Sequence, residues 1–238
     1  MSVRSSGVVV YAGESSPSPV PPEFVDALDR VVVRQAHDRA ATFQLVVNAD
    51  RPVGAAAELP VISAGTVKPG TRVKIGIRLD ATLCGVLDGI VSFQELTYAG
   101  KGGALTYSVI GEDLSLAMRL EEKATEWPGR SSAQIAREII ANYSRYGLSA
   151  KVVDPQQDVT PTVDQWIPQQ NATDLAYLRA LGRSFGHIFA IRPAASLDAS
   201  SVAYWGPPAR EGTPLPVLTV AAGPAGNVRS IEFGYDAA

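Results

Sequence analysis

Along the first half of the chain, apolar positions alternate with polar ones in runs of strand length. Asp29–Gln35 and Ala41–Val47 are rich in β-branched residues and are separated by the polar turn His37, Asp38, Arg39. In the second run Phe43, Leu45 and Val47 alternate with Thr42, Gln44 and Val46, giving one apolar and one mixed face. A turn at Lys68–Thr71, containing Pro69 and Gly70, launches Arg72–Leu79. There Val73, Ile75, Ile77 and Leu79 face one side while Arg72, Lys74 and Arg78 face the other, the cleanest period-two signal in the chain. Strands follow at Thr82–Leu87 and Gly89–Tyr98, and a glycine turn at Gly100–Gly103 leads into Leu105–Ile110 as a hairpin. Antiparallel strands with glycines inside them predict a strongly curved sheet or small barrel.

The period changes after Gly111. Asp113 is placed to cap a short helix carrying Leu114, Met118 and Leu120. A longer helix then sets Ile135, Ile139, Ile140 and Tyr143 on one face, opened by a capping box at Ser131 and Gln134 and ended by Gly147. A second helix repeats the plan, with Asn171 and Asp174 as a looser cap, a stripe of Leu175, Leu178, Leu181 and Phe185, and Gly186 as its close. Each helix turns at once into a short apolar strand. Two copies make a paired unit, since a solenoid needs about three or more repeats. After Pro193 strands return at Val202–Trp205, Leu218–Val220 and Val228–Phe233. The class is α+β, mainly β.

Composition alters this picture at a few points. Glu14–Glu23 holds four prolines and three serines, which predicts an extended arm over residues 1–28. A net charge of -3 lacks the basic footprint of a nucleic-acid binder. The apolar run Gly7–Ala12 is too short to cross a membrane, and a lone cysteine, Cys84, excludes an intrachain disulfide framework. The expectation is a protein folded in the cytoplasm, with no membrane or nucleic-acid partner.

Candidate chemistry is sparse. His37 lies in a predicted turn, and His187 follows Gly186, where a protonated imidazole gains about 0.3–1 kcal/mol from the helix C-terminus. Cys84, in a predicted strand, reads as a small core residue. No His/Cys/Asp cluster has metal-ligand spacing. Gly100–Gly103 lacks the spacing of a phosphate loop and joins two strands. Neither Glu121–Lys123 nor Asp154–Asp158 supplies a partner for general acid–base work. Trp127, Trp166 and Trp205 admit a glycan platform, although packing is the commoner use of such residues. No catalytic, cofactor or metal residues are assigned.

Several segments carry a resemblance to a known family. They are Lys68-Pro-Gly-Thr-Arg-Val-Lys-Ile75, Leu87-Asp-Gly-Ile-Val91, Val109-Ile-Gly-Glu-Asp-Leu-Ser-Leu116, Trp127-Pro-Gly-Arg-Ser-Ser-Ala-Gln-Ile135, Tyr146-Gly-Leu148 and Gln169-Gln-Asn-Ala-Thr-Asp-Leu-Ala-Tyr-Leu-Arg-Ala-Leu-Gly-Arg-Ser-Phe-Gly186. In order and spacing they resemble hub proteins of contractile tails: the late control D family of phage baseplate proteins and the hub portion of the spike protein in type VI secretion and extracellular contractile injection systems. The resemblance implies two tube-protein-like antiparallel β-barrels with a helical insert. On this chain it places the first barrel at 29–111, the insert at 112–193 and strands of the second barrel at 194–238. Gly70, Gly89, Gly111, Asp113, Gly147, Asn171, Asp174, Leu178 and Gly186 become structural signature positions. The implied role is a homotrimeric baseplate hub, without enzymatic activity, that joins the spike protein to a sixfold inner tube, nucleates that tube and meets baseplate wedge proteins. It is assembled in the bacterial cytoplasm as part of a phage tail or injection particle. A cell-wall glycan-binding module of such a baseplate is the alternative. The chain ends at Ala238 without the oligonucleotide-fold or β-helix region of fused spikes, and its second barrel looks short. The expectation is therefore a separate spike protein or a longer parent chain.

Overall fold

The computed structural model describes residues 6–14, 16–36, 39–48, 67–98, 105–208, 217–220, 227–228 and 232. Seven strands form one antiparallel sheet: β1 (Ser6–Gly13), β2 (Ser18–Pro19), β3 (Leu28–Arg34), β4 (Thr42–Asn48), β5 (Arg72–Leu79), β6 (Thr82–Tyr98) and β7 (Leu105–Asp113). Their spatial order is β2-β1-β5-β6-β7-β4-β3. Between the edge strands β2 and β3 runs the short helix α1 (Pro22–Ala27). Pro22, with its φ already helical and no N–H to lose, opens α1, and Glu23 favours its positive N-terminal end. The sheet curls around one aliphatic core of Val10, Phe43, Leu45, Val47, Val73, Ile75, Leu87, Val91 and Val109, with Phe24 of α1 buried in it. Among the described residues it does not close, because its two edges are not paired with each other.

Three expectations are corrected here. Residues 6–28 are not a free arm: β1 pairs with β5 from Ser6↔Leu79 to Gly13↔Arg72, so the N-terminal strand fills a sheet position that hydrogen bonding requires. The strands expected at Thr82–Leu87 and Gly89–Tyr98 are one strand, β6, bent by register shifts opposite β5 and β7. Cys84 is exposed, not core, because β6 runs beyond the enclosed interior there and pairs with Ile77, itself exposed. The polar turn at His37 and Asp38 and the glycine turn at Gly100–Gly103 lie outside the described residues.

A helix–strand module follows. Its elements are a 3-10 turn (Leu114–Arg119), β8 (Glu122–Glu126), α2 (Ser132–Ala141), a second 3-10 turn (Ser144–Tyr146), β9 (Leu148–Val152), β10 (Gln169–Thr173), α3 (Asp174–Arg183), β11 (Ile188–Arg192) and β12 (Ser201–Gly206). β8 pairs with β10, while β12 lies between β11, antiparallel, and β9, parallel. Its core joins Ile135, Ile139 and Ile140 of α2 to Leu175 and Leu178 of α3, with Trp205, Leu114, Met118 and Ile90. Val202–Trp205 therefore belongs to the module and not to a second barrel. Trp205 is fully buried in the module core, and leaving it would expose one of the largest apolar surfaces in the chain.

Residues 209–238 form a separate compact unit. Within it the Asn227 side chain accepts from Thr219 N–H at 2.8 Å and donates to the Val217 carbonyl at 2.9 Å. Residues 217–220 are not strand, and most of the strand expected at 228–233 lies outside the described residues.

Candidate functional site: the seam between sheet and module

β5 alternates as expected, but its polar face is not solvated. Arg72 and Lys74 are 4% and 8% exposed, covered by the connection between β11 and β12. Asp88 of β6, also buried, accepts from Arg72 Nε at 2.8 Å, from Arg72 Nη2 at 2.7 Å and from Ser201 Oγ at 2.6 Å. Such a bidentate, three-donor arrangement offsets the desolvation of a buried carboxyl group. Lys74 Nζ donates to the carbonyls of Leu197 at 2.6 Å and Ala199 at 3.1 Å. Burial lowers the Lys74 pKa, opposed in part by Asp88. Backbone contact completes the seam. Gly85 N–H donates to Ala195 O at 2.9 Å, and a Cβ on Gly85 would lie 2.1 Å from Ala194 O, so the two chains meet too closely for any side chain.

Two clefts flank this seam, each of about 250 Å³. The first is lined by Gln35, Arg39, Asp88, Asp113 and Arg192, among others. Arg192 stacks over the Tyr204 ring at 3.7 Å. Asp113 caps the 3-10 turn as expected, accepting from Ser115 N–H at 2.9 Å, and it also accepts from Ala41 N–H at 2.7 Å, which ties β4 to the turn. Burial pushes its carboxyl upward against those bonds. The second cleft opens on Arg72 and Lys74.

Inside the module one carboxylate organises both helices. Asp174, 1% exposed, accepts from Tyr143 Oη at 2.7 Å, Lys123 Nζ at 2.5 Å and Gln170 Nε2 at 2.7 Å. Burial, then the Asp174 hydrogen bond, raises the Tyr143 pKa, so the phenol remains a donor. Asp174 is thus the first residue of α3 and the meeting point of residues from three other segments. Asn171 is not the cap: it sits in β10, and Thr173 Oγ1 accepts from Ala176 N–H at 3.3 Å. Antiparallel pairing with β8 holds Asn171 in register opposite Ala124, which moves the helix start two residues on. Ser131 and Gln134 form the expected capping box, and Asp158 adds bonds from Ser132 and Ala133 N–H.

The remaining signature positions are placed as follows. Gly70, Gly147 and Gly186 adopt left-handed φ values of 88°, 62° and 65°. Gly147 closes the second 3-10 turn and not α2 itself. Gly89 and Gly111 sit where β6 and β7 approach: a Cβ on Gly111 would lie 2.3 Å from Ile90 O and 2.4 Å from the Phe43 ring. Leu178 is fully buried, and its carbonyl accepts from Trp205 Nε1 at 2.9 Å. At the end of α3, burial lowers the pKa of the His187 imidazole. Its Nδ1 has no partner, and its ring centroid lies 4.8 Å from that of Trp205, the two planes steeply inclined. A three-tryptophan glycan platform is not assembled, since Trp205 is buried while Trp166 is 58% exposed.

Reasoning from the sequence did not find Arg72, Lys74 or Asp88. The available signal was the β5–β6 hairpin, whose register sets Lys74 opposite Asp88. Among the described residues no three His, Cys, Asp or Glu side chains gather as metal ligands, and no helix is long and apolar enough to cross a membrane. What the assembled groups do chemically is hold a module rigidly on a sheet.

No family model matches the chain, and no curated protein matches it. Solved structures do. A chain of the Francisella PdpA–VgrG complex aligns over 84% of this chain and 28% of its own length, with 7% identity and a TM-score of 0.53. The 43 kDa tail protein of prophage MuSo2 from Shewanella oneidensis aligns over 83% and 53%, with 17% identity and a TM-score of 0.50. The E. coli c3393 protein, a component of the type VI secretion system, aligns over 85% and 46%, with 12% identity and a TM-score of 0.46. The chain therefore spans about half or less of the proteins it matches. Its structural neighbours include phage tail proteins and type VI secretion components, and it shares the fold of the aligned parts of the MuSo2 tail protein and the PdpA–VgrG complex chain.

Proposed function

We propose that the chain is a structural hub of a contractile tail or injection particle. It forms a homotrimer that joins a spike protein to a sixfold inner tube, nucleates that tube and meets baseplate wedge proteins, without catalytic turnover. The particle is assembled in the bacterial cytoplasm. The observation that carries this is the fold shared over more than four-fifths of the chain with a phage tail protein and a PdpA–VgrG complex chain. In the proposal three subunits form a ring on which a threefold spike meets a sixfold tube.

The sheet offers a contact surface of the required kind. Val8 of β1 lies directly opposite Ile77 of β5, and Leu79 follows on the same face. These side chains are 39%, 38% and 54% exposed, continuing the inner apolar face beyond the enclosed core. An uncovered apolar row at the end of a sheet is suited to burial against another subunit. Native mass spectrometry at micromolar concentration is expected to give a trimer, and Ile77→Lys with Leu79→Lys to give a folded monomer. A wild-type chain that stays monomeric, with or without a spike protein, overturns the proposal.

A further inference from the structure

The second cleft carries more cationic donors than its buried surroundings neutralise. Arg72 and Lys74 are two residues apart on β5 and share its buried polar face. Asp88 is chelated by Arg72 Nε and Nη2 and by Ser201, so its acceptors are already occupied. Lys74 is bonded only to neutral carbonyls, with one of its three ammonium N–H groups unused. Arg72 Nη1 makes no hydrogen bond among the described residues. It lies beside Gly147, where a Cβ would stand 3.8 Å from Nη1 and Nη2. With no Cβ at Gly147, no side chain there lies against this edge of the guanidinium. Ser200 and Asp198 line the same opening, and Asp198 is exposed at its rim.

Buried cations are stable when an anion or several oriented acceptors meet them. We propose that this cleft is an oxyanion subsite, which takes one carboxylate or phosphate group on Arg72 Nη1 and Lys74 Nζ. A planar guanidinium edge beside an ammonium suits both groups. The anion comes either free from solution or as an acidic side chain of a neighbouring protein segment.

Isothermal calorimetry on the full chain, at ionic strength held constant with chloride, tests this with two probes: inorganic phosphate and N-acetyl-aspartate methylamide. Wild type is expected to bind at least one with a Kd of roughly millimolar order. Lys74→Met is expected to weaken binding by about tenfold or more, as loss of a charge-assisted donor does. Arg78→Met, an exposed cation on the same strand, should leave binding unchanged, and Asp198→Asn should tighten it by removing like charge. Phosphate binding alone identifies a free oxyanion, aspartate-mimic binding alone a protein side chain, and binding of both the shared chemistry. Should Lys74→Met not fold, the ratio between Asp198→Asn and wild type carries the test. The subsite is refuted if neither probe binds wild type up to about 50 mM, if Lys74→Met binds as wild type does, or if Asp198→Asn leaves affinity unchanged.

Discussion

The helix–strand module and the curled sheet are held by contacts of different reach. In the module the helix caps close locally, and longer side-chain ties, such as Tyr143 to Asp174 across 31 residues and Ser149 to Ser201 across 52, fall short of the seam's reach. Ser131 meets Gln134, Thr173 meets Ala176, and Gln170 meets Asp174 four residues on. The sheet and its seam depend on distant partners: Asp88 with Ser201 across 113 residues, Lys74 with Leu197 across 123. A local closure forms with little loss of chain entropy, whereas a distant one becomes favourable only once the intervening chain is ordered. The module should therefore survive damage that detaches it from the sheet, while the seam fails as a unit.

Asp88→Ala is expected to act most strongly, at about 3–5 kcal/mol, because it leaves the buried Arg72 guanidinium unpaired. Urea unfolding read by circular dichroism checks this, and a loss below about 1 kcal/mol would show that the pair does not hold the seam. Leu178→Ala removes a fully buried side chain from the module and should cost about 2–5 kcal/mol. Hydrogen exchange should then rise in α2 and α3 before the sheet. Simultaneous exchange in both regions would erase the distinction between them. Gly147→Ala forces a side chain into a left-handed φ and is expected to cost about 1–2 kcal/mol. The smallest effect is that of His187. Its folded pKa lies below the ordinary value of 6.5, so its share of stability is present above that pH and is lost as pH falls through the folded value. Thermal melts from neutral to mildly acidic pH should show a steeper decline for wild type than for His187→Phe. Equal slopes would mean that the imidazole titrates normally.

Local signals were read well. The capping box at Ser131, the buried stripe Ile135–Ile139–Ile140–Tyr143 and the left-handed Gly186 depend on neighbours within a turn or two and stand where the pattern puts them, whereas the left-handed Gly147 closes the 3-10 turn after α2. The misreadings share another cause. Cys84 sits on a strand of core-like composition, but that strand extends past the interior. Arg72 and Lys74 alternate as solvent-facing residues do, yet a connection more than a hundred residues away covers them. Asn171 has the right residue type for a cap, but pairing with β8, more than forty residues earlier in the chain, claims it first.

By itself the sequence determined the β-then-helix order, the helix faces and the sharp glycine turns, because propensity, periodicity and capping act over a few residues. Only the tertiary structure decided that β1 enters the sheet, that β12 belongs to the module and that Arg72, Lys74 and Asp88 are internal. Each of these depends on which distant segment covers a face, and alternation along one strand carries no record of what is packed against it.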